Sequence, residues 1–330
     1  MDINSTGHIK RVLVTGGAGY VGSHACKALA RAGIEPVVYD NLDRGHRKAV
    51  RWGPLVAADV RDPAALDRAF ATYQPEAVLH FAALAYVGES VSAPLRYYDV
   101  NAGGVVTLLA AMARAGVARL VFSSTCAVYG TPARLPITED MPLQPISPYG
   151  RSKRMAEQVI ADAGRAHGLR YAVLRYFNAC GLDPEGELIE DHAPETHLVP
   201  RALLAAAGRV PHLDVFGDDH PTPDGTCIRD YIHVSDLAEA HVAALHATAR
   251  DGADLVANLG TGQGYSVREV LAAVERVTGR PVPVRAAPPR AGDPPVLYAD
   301  ASRAGRELGF APRHSDLDTI VRTAWHPFRG

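Results

Sequence analysis

Through the first half of the chain, short unbroken apolar runs alternate with longer stretches in which apolar residues return every three or four positions. The runs Arg11–Thr15, Glu35–Tyr39, Leu55–Ala58, Ala77–Phe81, Leu120–Ser123 and Tyr171–Arg175 read as strands. Between them, Tyr20–Arg31, Pro63–Tyr73, a long helix containing Asn101–Ala115, and Pro148–His167 carry helical periodicity. Asp62 supplies an N-cap and Pro63 a first-turn proline for the second helix. Strands that are apolar throughout, rather than on alternate residues, are covered on both faces. Helices placed between them predict an α/β fold built on a doubly wound parallel sheet.

Past residue 178 the alternation weakens. Residues 178–232 are rich in Gly, Pro, Asp and His, with one helix near Leu198–Gly208. Ser235–Arg250, Val267–Thr278 and Leu317–Trp325 read as helices and Val282–Arg285 as a short strand. Val256–Leu259 still has the character of a core strand. The pattern divides the chain into a Rossmann-type domain over residues 1–178 and a smaller α/β substrate-binding domain over 179–330, partly interleaved with the first.

Composition narrows the classes of function. The 330 residues carry 34 basic and 36 acidic side chains with no basic block, which predicts no nucleic-acid partner. Apolar runs stop well short of the roughly 20 residues a bilayer requires, and residues 1–10 contain no apolar signal core. A cytoplasmic enzyme is the expectation. Cys26, Cys126, Cys180 and Cys227 have no metal-ligand spacing and make no disulfide framework. The 14 histidines include no H-x-x-x-H on a helix, so no metal site is expected.

Two patterns carry chemistry. Directly after the first strand, T-G-G-A-G-Y-V-G places Gly16, Gly19 and Gly22 three residues apart. The first glycine permits a tight turn, the second lets backbone approach a pyrophosphate, and the third lets the helix pack on the strand. The phosphates would meet the helix N-terminus, where free N–H groups and the dipole favour negative charge. Asp40 closes the second strand eighteen residues after Gly22. A carboxylate there accepts bonds from ribose hydroxyls and repels a 2′-phosphate, favouring NAD over NADP. Asp59, and Phe81, Ala82 and Ala83, should flank the adenine end. Tyr20, Val21, Asn41, Val60, Asn101, Ser123 and Tyr176 join this cofactor set. The second pattern is Tyr149 and Lys153, four apart on one face of a helix. A phenol, with an ordinary pKa of about 10, needs a nearby positive charge to act as base at neutral pH. Thr125, at the end of the fifth strand, offers a hydroxyl to steady a substrate oxygen.

Several stretches together resemble the extended short-chain dehydrogenase/reductase family, and within it the UDP-sugar 4-epimerases. They include T-G-G-A-G-Y-V-G-S-H (15–24), H-F-A-A-L-A-Y-V-G-E-S-V (80–91), F-S-S-T-C-A-V-Y-G (122–130), S-P-Y-G-R-S-K (147–153), L-R-Y-F-N (174–178) and R-A-G-D-P-P (290–295). The resemblance implies a Rossmann fold holding NAD, Tyr149 as base with Lys153 and Thr125 beside it, and inversion of carbon 4 of a UDP-hexose through a 4-keto sugar. It also implies Asn178, Arg229, Arg290 and Asp293 around UDP, His197 and Leu198 on the pyrophosphate side, Leu297 on the sugar wall, and a homodimer. Forked arginine bonds suit a diphosphate.

Two positions depart from the family pattern. Ala85 stands where a lysine is usual, and Thr196-His197 where two asparagines are usual. Dehydrating and decarboxylating relatives carry an acidic residue after the catalytic threonine, and here Cys126 and Ala127 follow it. A different UDP-sugar, such as UDP-xylose, UDP-arabinose or UDP-N-acetylglucosamine, would use the same residues. A NAD-sensing regulator on this fold would have no use for the Tyr149–Lys153 pair.

Overall fold

The computed structural model describes residues 9–192, 194–249, 254–289 and 294–328. The first half runs β1 (Arg11–Thr15), α1 (Tyr20–Arg31), β2 (Glu35–Asp40), β3 (Leu55–Ala57), α2 (Pro63–Tyr73), β4 (Ala77–His80), α3 (Val87–Ser92), α4 (Pro94–Tyr97), α5 (Gly104–Ala115), β5 (Arg119–Thr125), α6 (Pro148–His167) and β6 (Arg170–Tyr176). It continues through β7 (Asn178–Cys180), α7 (Leu198–Ala206), β8 (Leu213–Phe216), β9 (Ile228–Arg229), β10 (Tyr231–His233), α8 (Val234–Ala247), β11 (Leu255–Leu259), β12 (Tyr265–Ser266), α9 (Val267–Thr278), β13 (Val284–Ala287), β14 (Val296–Leu297), α10 (Ser302–Leu308) and α11 (Leu317–Ala324).

Seven strands form one parallel sheet in the order β11-β6-β5-β4-β1-β2-β3. Successive residues of β1 point to opposite faces. Val12 and Val14 join the cluster of Leu29 on α1 and Leu237 and Leu245 on α8, while Leu13 joins that of Leu66, Leu108 and Ile160 on α2, α5 and α6. Both faces are therefore covered, which is why the strands are apolar throughout. Strand order reverses between β1 and β4, so a crevice opens beyond the carboxyl ends of Thr15 and His80, where open α/β sheets bind ligands. A third cluster, with Val199, Leu203, Val270, Val274, Ile320 and Val321, ties α7, α9 and α11 together outside the sheet.

β11 completes the sheet beside β6 and α8 packs on α1, so the second half of the chain returns to the first. Several expectations need correction. The long helix around Asn101 begins as a π-helical segment, Tyr98–Gly103, and becomes α-helical only at Gly104. The strand expected at Val282–Arg285 lies at Val284–Ala287, paired in parallel with β8. Helix α8 spans Val234–Ala247, against Ser235–Arg250, and Arg250 lies outside the described residues. Elsewhere strand and helix ends move by one or two residues. Among the described residues no helix is long and apolar enough to cross a membrane.

Candidate active site

The glycine turn fills the mouth of the crevice. Gly16 has φ +73°, and a Cβ there would stand 2.5 Å from the Ala82 nitrogen, so the turn lies directly against the end of β4. A Cβ on Gly22 would lie 2.1 Å from the Gly16 carbonyl oxygen, which is how closely α1 packs on the turn. On Gly19 it would meet only the Gly16 oxygen, at 3.3 Å. No side chain caps the N-terminus of α1. This is a cradle with room for a pyrophosphate at a bare helix N-terminus, and the residues fit a dinucleotide. Beside it lies a cavity of about 230 Å³ lined by Ala18, Gly19, Tyr20, Arg44, Leu188 and His192.

The residues expected around the cofactor do varied work. Asp40 is buried. Its carboxylate accepts from Ala18 N at 3.0 Å and Leu42 N at 2.8 Å, so it braces the glycine turn. Asp59 accepts from Arg61 and from Asn41 Nδ2 at 3.0 Å, and the Arg61 guanidinium holds its carboxyl well below the usual range. It is no helix cap, since Asp62 caps α2. Tyr20 gives its hydroxyl to the Gly181 carbonyl, and Val21 follows it on the first turn of α1. Val60 packs under Gly104, and Phe81 lies on the His241 ring with centroids 4.6 Å apart. Ala82 and Ala83 line the crevice edge, half-buried. Asn101 is buried and fully engaged within the protein. Its amide nitrogen donates to the Leu84 carbonyl and to Ser152 Oγ, both at 3.0 Å, and its oxygen accepts from Leu84 N at 2.8 Å. Both amide protons are thus spent on bracing the segment after β4 against α6.

Tyr149, Lys153 and Thr125 lie together. Ser147 caps α6 and Pro148 opens it, which sets Tyr149 and Lys153 on the helix face against the ends of β5 and β6. Lys153 Nζ donates to the Ser123 carbonyl at 2.9 Å and lies 4.8 Å from the Phe122 ring centre. Ser123 Oγ and the Tyr176 hydroxyl are 2.8 Å apart. Thr125 ends β5 and accepts from Ala127 N at 3.1 Å. Burial, and then the Tyr176 phenol, push the Tyr149 hydroxyl above its ordinary value, while its hydrogen bond with Thr125 pulls the other way. Burial brings Lys153 down to about 7, with Glu157 opposing. Burial thus disfavours the charged form of each group, keeping the Tyr149 phenol protonated while loosening the proton on Lys153, and a positive charge beside the phenol would favour phenolate.

Of the residues expected around the substrate, Asn178 begins β7 and Arg229 ends β9, in register with Leu297 on β14. Arg229 donates to the Ile228 carbonyl at 2.8 Å. Leu297 is half-buried against the cluster of Tyr129, Phe177 and Cys126, the residue after Thr125. Leu198 opens α7 and packs on the third core cluster. Arg290 and Asp293 lie outside the described residues. Ala85 is exposed. His197 Nδ1 faces Glu195 Oε1 at 2.8 Å and Glu190 Oε1 at 3.3 Å, and His192 Nδ1 faces Glu190 at 3.1 Å and Glu195 at 3.3 Å. This four-residue cluster was missed because its members sit on a loop, where no helical spacing announces them. The signal available was Glu-x-His-x-x-Glu-x-His itself.

Residues 12–260 match the family described as NAD dependent epimerase/dehydratase. A UDP-glucose 4-epimerase of Rhizobium leguminosarum bv. trifolii is 51% identical over 314 residues, covering 95% of this chain and 96% of that protein. Among solved structures, the UDP-glucose 4-epimerase from Brucella ovis in complex with NAD superposes with a TM-score of 0.94 at 56% identity. That match covers 97% of this chain and 98% of the other. A UDP-glucose 4-epimerase from Stenotrophomonas maltophila, with bound NAD and formylated UDP-arabinopyranose, gives a TM-score of 0.94 at 44% identity, covering 98% of each chain.

Proposed function

The chain belongs to the NAD dependent epimerase/dehydratase family, and from that premise we propose that it is an isomerase inverting carbon 4 of a UDP-hexose, interconverting UDP-glucose and UDP-galactose. The observation that carries the reading is the Tyr149–Lys153 pair on α6, with the Thr125 hydroxyl bonded to the phenol, beside the glycine cradle. An acid/base and a dinucleotide cradle are all that a 4-epimerisation demands. The relatives named above are UDP-glucose 4-epimerases, two of them solved with NAD.

Gly16, Gly19 and Gly22 would hold the pyrophosphate of NAD, with Tyr20, Val21, Asp40, Asn41, Asp59 and Val60 at its adenosine end. When bound, NAD supplies a hydride acceptor and donor and a positive charge beside the phenol. Tyr149 takes the proton of the sugar 4-hydroxyl and gives it back after the 4-keto sugar has turned its other face. Thr125 orients the sugar oxygen, and Lys153 favours the phenolate. Asn178, Arg229, Arg290 and Asp293 would grip UDP while the sugar turns, with Leu297 on the pocket wall and His197 and Leu198 near the diphosphate. We assign the cofactor to residues 1–178 and the sugar nucleotide to 179–330, with β11 and α8 shared.

A homodimer is the assembly we favour. Val91 is 67% exposed and Leu95 81%, and with Val106 and Met155 they give the α3–α6 layer an apolar outer surface. A cytoplasmic role in galactose metabolism follows from the substrate. The test is a panel of UDP-sugars, including the xylose–arabinose pair, assayed for conversion to the 4-epimer. UDP-galactose should give the highest kcat/KM, and a preference for a pentose would overturn the hexose assignment.

A further inference from the structure

The loop between β7 and α7 is pinned at its start. Tyr20 donates to the Gly181 carbonyl, and Lys27 bonds Asp183 at 2.7 Å and Glu185 at 2.9 Å. Its far end, over the glycine turn, holds four side chains that converge on one point. Ligand atoms of Glu190, His192, Glu195 and His197 all lie within 4.8 Å of one another. The four imidazole–carboxylate separations are 2.8, 3.1, 3.3 and 3.3 Å. Donors about 2.0–2.2 Å from a zinc ion stand about 3.3 Å apart in a tetrahedron, and these imidazole–carboxylate separations, in which Glu195 uses both of its oxygens, lie near that length.

We propose that Glu190, His192, Glu195 and His197 bind one divalent transition ion such as Zn²⁺. On coordination each imidazole releases its Nδ1 proton to solvent, and the two carboxylates balance the charge of the ion. Two imidazoles with two carboxylates suit zinc, cobalt or nickel, whereas magnesium and calcium favour all-oxygen sets. The site is half-built already. Glu195 accepts from His197 N at 2.7 Å, which fixes its carboxylate, and the Glu190 side chain is only 6% exposed. His197 is 45% exposed and leaves an open side for entry. The His192 ring stands edge-on to Tyr20 with centroids 5.9 Å apart, and Asp191 beside it already bonds His46 and Lys48, so an ion here would add a further tie between this part of the loop and the glycine turn.

The experiment is a titration of untagged, EDTA-washed protein, with its dinucleotide in place, by CoCl₂ and then ZnCl₂. Expected is one Co²⁺ per chain with the strong visible absorption of a four-coordinate site, discharged by Zn²⁺. His192→Ala should abolish that absorption, and Glu190→Gln, which preserves shape, should weaken binding at least tenfold. A wild-type protein without such absorption would leave the cluster a set of proton-sharing ion pairs and overturn the proposal. So would variants that titrate like wild type. If His192→Ala fails to fold, Glu190→Gln decides alone.

Discussion

The Arg175–Glu157 pair at the heart of the sheet gives a sharp test of how the catalytic strands are held. Both side chains are 5% exposed. Arg175 Nε and Nη2 donate to the two Glu157 oxygens at 3.0 and 2.7 Å, and Ser124 Oγ donates to Glu157 at 2.6 Å. Arg175 Nη1 continues to the Tyr129 hydroxyl at 2.9 Å, which donates to Asn258 at 2.7 Å on β11. The network thus joins β5, β6, α6 and β11, one residue before Thr125 and one helical turn past Lys153. Glu157→Ala leaves a guanidinium buried without its counter-charge, a loss of about 3–5 kcal/mol, against a total stability typically of about 5–15 kcal/mol. The exposed Arg134–Asp140 pair, 3.1 Å apart, is the control, and Asp140→Ala should leave stability nearly unchanged. Urea unfolding followed by the fluorescence of Trp52 and Trp325 reads both. Because the penalty comes from the stranded charge, Glu157→Leu combined with Arg175→Met should recover much of it. A Glu157→Ala loss below about 1 kcal/mol, or a double variant no more stable than the single one, would refute the reasoning.

Tyr149→Phe should lower kcat by about 10²–10⁴ while leaving UDP affinity, measured by calorimetry, nearly unchanged; a variant with more than half of wild-type kcat would remove Tyr149 as the base. Burial holds His80 down at about 3 and His24, His233 and His241 at about 4, against about 6.5 when unfolded. The unfolded chain therefore binds more protons between those values, and stability present above pH 6.5 should be lost as pH falls towards 4, by up to about 3 kcal/mol per ring. A melting temperature flat from pH 7 to 4.5 would contradict this. Leu297, shorter than a tyrosine, leaves the sugar wall partly open, so weak activity on UDP-N-acetylgalactosamine is expected. Leu297→Tyr should shift the kcat/KM ratio towards UDP-galactose by about tenfold, and an unchanged ratio would place Leu297 away from the sugar.

What was legible in the sequence was local. Pro63–Tyr73, Pro148–His167 and Val267–Thr278 fall where expected because Asp62, Ser147 and the Ser266–Glu269 capping box mark their starts. The glycine turn was equally plain, since strand, turn and helix are contiguous. By contrast, β7, β9, β10, β12 and β14 are only two or three residues long and exist through partners far away in the chain, as when Asn178 pairs with Tyr231. No periodicity forms over two residues. The π-helical segment Tyr98–Gly103, which sets the Asn101 amide against Leu84 and Ser152, likewise has no spacing that announces it. The proton balance of Tyr149 and Lys153 was hidden for another reason. Spacing showed they share a face, and only three-dimensional packing shows that burial opposes ionisation of both.

The most direct test of the central claim is to run the conversion of UDP-galactose in D₂O, without added NAD, and examine carbon 4 of the UDP-glucose formed by NMR. If hydride leaves carbon 4 for a bound dinucleotide and returns to the same carbon, the product keeps its original hydrogen there and only exchangeable positions carry deuterium. Deuterium at carbon 4, or no conversion even when NAD is supplied, would contradict the mechanism.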